Sequence, residues 1–161
     1  MPKAYRNSAS FGKRQEYVAV AKLLQEGFDV YMTLVDDQQI DCVVRLGGRE
    51  PRYLDVQIKA RSKQAKYPGY FAGIKIEKPR KNYFFIFYDE VFDTHWVIPS
   101  LHVVSKGNRN KSGKNEGTYS LMVINKTSGN KRPKFQEYEN NFDLLKRPYA
   151  ARAKLRGGRR V

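Results

Sequence analysis

From Tyr83 to Tyr88 (YFFIFY) every position carries an apolar or aromatic side chain. Successive residues of a strand point to opposite faces. A strand with no polar face must be covered on both sides. The chain therefore needs a central strand with one layer above it and another below, and a sheet flanked by helices supplies both.

The 161 residues are about one domain's worth. Residues 1–10 read as a polar N-terminal arm, with Ser8 or Ser10 available as an N-cap. Tyr17, Val20, Ala21 and Leu24 follow helical spacing, which predicts a helix from Phe11 to Glu26 that Gly27 stops. Strands are predicted at 28–34, 40–46, 53–60, 82–88, 95–98 and 119–124, the second and third forming an antiparallel hairpin. Residues 61–73, basic and rich in Tyr, Gly and Pro, read as irregular. Pro99 closes a strand and Ser100 caps a short helix. Residues 105–118 read as a mobile loop and 135–146 as helical. The sum is one α/β domain over 11–146 with a mixed central sheet, followed by a basic flexible tail over 147–161.

The formal charge is +15, and it is unevenly placed. Residues 106–134 hold eight basic side chains against one acidic, and residues 144–161 hold seven against none. The body is nearly balanced. A basic loop and a basic tail on a folded body point to a polyanionic partner. The single cysteine, Cys42, excludes an intramolecular disulfide and zinc-ribbon chemistry. No apolar run approaches the roughly 18 residues of a membrane span, and the N-terminus has no hydrophobic signal region. An intracellular, cytoplasmic setting with no membrane partner is expected.

The chemistry concentrates on YLDVQIKA, residues 53–60. Tyr53, Asp55, Gln57 and Lys59 share one face, and Leu54, Val56, Ile58 and Ala60 the other. The polar face is either solvated or part of a site. A turn centred near Arg49 and Glu50 puts Asp41 opposite or beside Lys59 and near Gln57. Glu16, in line with Val20 and Leu23, leans toward the core side of the first helix, as a flank residue or a site residue. Carboxylate and amide oxygens of this kind suit Mg²⁺ or Mn²⁺.

In order and spacing, Glu16 on a helix, Asp41 opening a strand and Gln57-Ile58-Lys59 on its hairpin partner resemble the PD-(D/E)XK nuclease superfamily. The lead-in Gly12-Lys-Arg-Gln-Glu16 is similar to that superfamily's opening helix, and NYFFIFYDEVFDTHWVIPS to its later core strands. The resemblance spans roughly residues 11–125. It implies a restriction-endonuclease-like fold and a Mg²⁺-dependent endonuclease that hydrolyses DNA phosphodiester bonds, with Mn²⁺ as a substitute. Asp41 would be the main metal ligand, Gln57 would coordinate through its side-chain oxygen, Glu16 would complete the metal site, and Lys59 would be the catalytic lysine. Asp55 would be an outer partner, and Asp36 and Asp37 read first as a loop and second as supplementary ligands. Gln57 departs from the usual acid and removes one negative charge. That departure motivates the alternative, a catalytically inactive nucleic-acid-binding module on the same fold. The resemblance also implies a homodimer or a higher homo-oligomer, since cutting both strands needs two sites.

DNA phosphates would be held by Arg61, Lys63 and Lys66 after the lysine strand, by Lys106, Arg109, Lys111 and Lys114 on the loop, and by Arg152, Lys154 and Arg156 with Arg159 and Arg160 in the tail. Tyr67, Tyr70 and Phe71 lie among the first group and would either stack on a base or pack internally. His95 and His102 lack metal-ligand spacing and read as structural.

Overall fold

A computed structural model describes residues 4–35 and 38–147, with the side chains of residues 4–6 excepted. The chain opens with helix α1 (Ala4–Gln25), followed by β1 (Asp29–Met32), β2 (Cys42–Leu46), β3 (Arg52–Arg61), β4 (Tyr70–Ile74), β5 (Tyr83–Asp89) and β6 (Thr94–Pro99). Helix α2 (Ser100–Lys106), β7 (Asn108–Arg109), β8 (Tyr119–Met122) and two 3₁₀ turns, Pro133–Tyr138 and Phe142–Lys146, complete it. Five strands form a mixed sheet in the order β1-β2-β3-β5-β6. Only the β3–β5 pair is parallel; its register sets Asp55 against Tyr83, Gln57 against Phe85 and Lys59 against Phe87. A second, antiparallel sheet has the order β4-β8-β7.

All seven residues of β5 are buried. Phe84 and Ile86 pack toward α1 with Ala19, Val20, Leu23, Leu54, Val56 and Ile58. Tyr83, Phe85 and Phe87 face the other way, against Phe71, Ile74, Leu121, Val103 and Phe135. On that second side the rings run along the strand, with Tyr83–Phe85 centroids 4.9 Å apart and Phe85–Phe87 5.6 Å. Burial of this kind stabilises by roughly 2–3 kcal/mol per large apolar side chain. The two-faced strand is thus the centre of an α/β sandwich, a mixed sheet flanked by helices.

Several sequence expectations need correction. The helix begins at Ala4, so residues 4–10 are not a polar arm. No proline or β-branched residue lies between Ala4 and Gly12, and exposed serines in a helix cost only a few tenths of a kcal/mol. Its core stripe is Ala19, Val20 and Leu23; Tyr17, Ala21 and Leu24 are exposed. Residues 70–73, within the stretch read as irregular, belong to β4, with a bulge between Phe71 and Ile74 beside Gly73 at φ 65°. The basic loop between β7 and β8 is closed by hydrogen bonds among its described residues. Just beyond β7 and just before β8, Asn110 donates twice to Thr118, from its main-chain N–H to the carbonyl oxygen at 2.8 Å and from its side-chain amide to Oγ1 at 3.0 Å. The helix expected over 135–146 is broken into 3₁₀ turns by Asn140, whose φ is 49°. Asn140 instead donates its N–H to His95 O at 2.6 Å and accepts from the His95 N–H through its side chain, capping the exposed edge of β6. The tail beyond residue 147, with Arg152, Lys154, Arg156, Arg159 and Arg160, lies outside the described residues, as do Asp36 and Asp37. Among the described residues no helix is long and apolar enough to cross a membrane.

Candidate active site

The hairpin pairs Cys42 with Val56 and Leu46 with Arg52 around a five-residue turn, residues 47–51. This register is one to two residues off the predicted one, so Asp41 falls beside Gln57 and Ile58, not opposite Lys59. Gly48, at φ 130°, allows the tighter closure. The chain bends at Asp41. Its N–H still reaches Val56 O at 2.9 Å, and its carboxylate Oδ2 accepts the Ile58 N–H at 2.6 Å. A charge-assisted bond of this length, with the side chain 7% exposed, fixes the carboxylate against the middle of β3.

Glu16 approaches from α1. Its Oε2 meets Lys13 Nζ at 2.5 Å, and the glutamate side chain is half-buried while the lysine is largely exposed. Two other groups register both acids. The Lys13 ammonium is held above its ordinary range by the bond to Glu16 and by the charges of Glu16 and Asp41. The Cys42 thiol is pushed up to about 12 by burial, then by the negative charges of Asp41 and Glu16. Asp41 and Glu16 therefore share one neighbourhood, and Cys42 stays a protonated thiol, unsuited to hold a metal there.

Gln57 and Lys59 lie on the face of β3 that packs toward β4 and β8, beside Tyr83, Phe85 and Phe87. That face is not solvated at Gln57, which is 3% exposed. Its Oε1 lies 3.3 Å from the Tyr83 hydroxyl. Asp55 is paired with Arg80. Lys59 is half-buried, and no hydrogen bond or ion pair ties it down among the described residues.

As potential metal donors the set offers two carboxylates and one amide oxygen, all hard. That chemistry fits a Mg²⁺-like cation and disfavours a thiolate metal. Two carboxylates also balance the charge of one divalent ion. Among the described residues no group of three or more His, Cys, Asp or Glu side chains could hold a metal. Lys13 neutralises Glu16 and, being exposed, leaves it at small cost.

A polar cleft of about 670 Å³ opens at the C-terminal end of β3, between the first turns of α1 and residues 60–65. Arg14, Arg61, Lys63 and Glu90 line it. Glu90 accepts the Lys63 N–H at 2.8 Å, and Arg61 Nε donates to Tyr70 O at 2.6 Å, so the basic segment after Lys59 is held in shape. Lys66 lies over the exposed Tyr67 ring. Phe71 is core and presents nothing to a base. Lys106 is tied to Glu137 at 2.8 Å and to the Tyr138 ring, while Arg109, Lys111 and Lys114 stand on the β7–β8 hairpin and its turn. Sequence reasoning missed Arg14, Lys13 and Tyr83. The tyrosine had one signal: a hydroxyl on a strand buried on both faces must find a partner.

No protein-family model matches the sequence, and no curated protein matches it. Solved structures do. A bacterial homing endonuclease, I-Ssp6803I, aligns with a TM-score of 0.61 at 20% identity, over 88% of this chain and 94% of that one. D212, a nuclease from a fusselovirus, aligns with a TM-score of 0.44 at 18% identity, over 76% and 84% of the two chains. The chain shares the fold of the homing endonuclease.

Proposed function

We propose that this protein is a Mg²⁺-dependent endonuclease that hydrolyses DNA phosphodiester bonds, with Glu16, Asp41, Gln57 and Lys59 as its site. The observation that carries the proposal is the carboxylate of Asp41 locked onto the Ile58 N–H, between Gln57 and Lys59 in sequence, with Glu16 in electrostatic range. The fold shared with a homing endonuclease supports it. Asp41, Glu16 and the amide oxygen of Gln57 would hold the cation. When bound, such an ion polarises a phosphate oxygen and lowers the pKa of an attacking water. Lys59 supplies a mobile positive charge for the negative charge that grows on the phosphate. Arg14, Arg61 and Lys63 in the adjoining cleft hold the flanking backbone, an interaction that weakens steeply with salt.

Cutting both strands of a duplex takes two sites, and a homodimer is part of the proposal. The exposed apolar side chains at the β1 edge, Tyr31, Met32, Leu34 and Val35, support it.

The test is nicking of supercoiled plasmid at low salt with Mg²⁺ or Mn²⁺, wild type against Lys59→Ala. Metal-dependent nicking that vanishes in the variant, with DNA binding within a few-fold of wild type, is the expected result. Salt-sensitive binding by both proteins with cleavage by neither, across duplex, branched and single-stranded substrates, would replace the nuclease by a binding module. Equal cleavage by both would remove Lys59 from the site.

A further inference from the structure

We infer that Tyr83 is a positioning residue that decides which amide atom Gln57 offers to the candidate site; this rests on reading Gln57 as an oxygen donor. Tyr83 begins β5 and is 4% exposed, its ring beneath the Arg80 guanidinium at 4.4 Å. Arg80 is in turn paired with Asp55, two residues before Gln57 on the same strand face. The phenol oxygen lies 3.0 Å from the main-chain oxygen of Gln39 and 3.3 Å from Oε1 of Gln57.

A phenol has one proton. The Gln39 carbonyl only accepts, whereas an amide side chain accepts at one atom and donates at the other. Amide oxygen and nitrogen exchange by a half-turn, and the hydrogen-bond network decides between them. One arrangement satisfies all three groups. The Tyr83 proton goes to Gln39, and Gln57 turns so that its NH₂ donates to the phenol oxygen. The reverse arrangement sets two lone pairs against each other at 3.0 Å in a buried place. With NH₂ on Tyr83, the amide oxygen of Gln57 faces away from the phenol and is available to a cation.

Gln39 strengthens the argument. Its φ of 58° is left-handed for a residue with a Cβ, two residues ahead of Asp41. The Tyr83 hydroxyl meets the carbonyl of that strained turn, so one group braces both the segment leading to Asp41 and the amide of Gln57. It also accounts for glutamine where a carboxylate would be commoner: a carboxylate has no proton to give an oxygen whose own proton is committed.

Tyr83→Phe removes one oxygen and keeps the ring against Phe85 and Arg80. In the metal-free, full-length protein, the Gln57 side-chain NH₂ is followed by ¹⁵N–¹H NMR, assigned by its loss in Gln57→Leu. Wild type should show one amide proton shifted downfield beyond the ordinary separation of a glutamine NH₂ pair, and Tyr83→Phe should return the pair to that ordinary separation. Two ordinary, unshifted protons in wild type would overturn the inference. In plasmid cleavage, Tyr83→Phe should raise the Mg²⁺ midpoint roughly tenfold, as loss of a partner to a metal ligand does, with DNA affinity nearly unchanged. An unchanged Mg²⁺ midpoint would overturn the inference and leave the nuclease standing. Failure of wild type to cleave would strike the nuclease instead, and the amide spectrum would still decide the orientation.

Discussion

Substituting Asp41 separates what the carboxylate does for the fold from the role proposed for it toward a cation. In Asp41→Asn a side-chain oxygen can still accept the Ile58 N–H that now lies 2.6 Å away. The bond changes from charge-assisted to neutral, a loss of about 1 kcal/mol. For a chain of this size that lowers the melting midpoint by about 2–4 °C. Relief of repulsion with Glu16 offsets part of it. In Asp41→Ala the same N–H is left in the interior without its acceptor, and about 1–3 kcal/mol is lost. Both variants should lose cleavage by at least about a hundredfold, because each removes one of two charged donors. Urea denaturation and plasmid nicking, run on the same preparations, give both numbers. Equal stability of the Ala and Asn variants would refute the account of the Ile58 bond. Wild-type cleavage by Asp41→Asn, at wild-type Mg²⁺ concentrations, would refute Asp41 as a ligand.

Three further outcomes follow from other parts of the molecule. His95 is buried against Tyr88 and Phe142, and its pKa is lowered to about 4 by burial and by Lys22, with Asp93 opposing. Its folded pKa lies below the unfolded value of about 6.5, so the neutral ring's contribution is complete above pH 6.5 and lost on acidification toward pH 4. Unfolding free energy should fall by about 3 kcal/mol over that window, and His95→Phe should flatten the slope in urea melts at stepped pH. At Gly69 the backbone has φ 68°, and a Cβ there would stand 2.2 Å from Ile124 Cγ1; Gly69→Ala should cost at least about 2 kcal/mol in a urea melt. Replacing Arg14 and Lys63 together by Ala should lower the slope of log affinity against log salt by about 1–2 in fluorescence-anisotropy titrations, with little effect on stability.

The sequence was most informative where one requirement had one solution. An all-apolar strand can only be central, and β5 is. The alternation of Leu54, Val56 and Ile58 can only face a core, and it faces α1. Asp41, Gln57 and Lys59 were legible as a group because a hairpin must bring its partners together within a residue or two. Register was less legible, since the run of turn-forming residues from Gly47 to Pro51 permits several loop lengths. The polar face of β3 was misleading: Gln57 is buried because a second sheet lies over it, and β4 of that sheet, Tyr-Phe-Ala-Gly-Ile with a bulge, carries no strand alternation to announce itself. The α1 stripe was misassigned by about one residue because Tyr17 and Leu24, apolar but exposed, mimic a core period.

The parallel pairing of β3 with β5 also sets an order in time. The β2–β3 hairpin closes over five residues, whereas residues 62–82 must cross over before β5 can align beside β3. Shorter loops close at lower entropic cost, and distant pairings form later. Asp41 therefore meets Ile58 early in folding, and Gln57 meets Tyr83 late. The geometry of the candidate site is complete only when the sheet's middle closes, so folding itself orders its assembly.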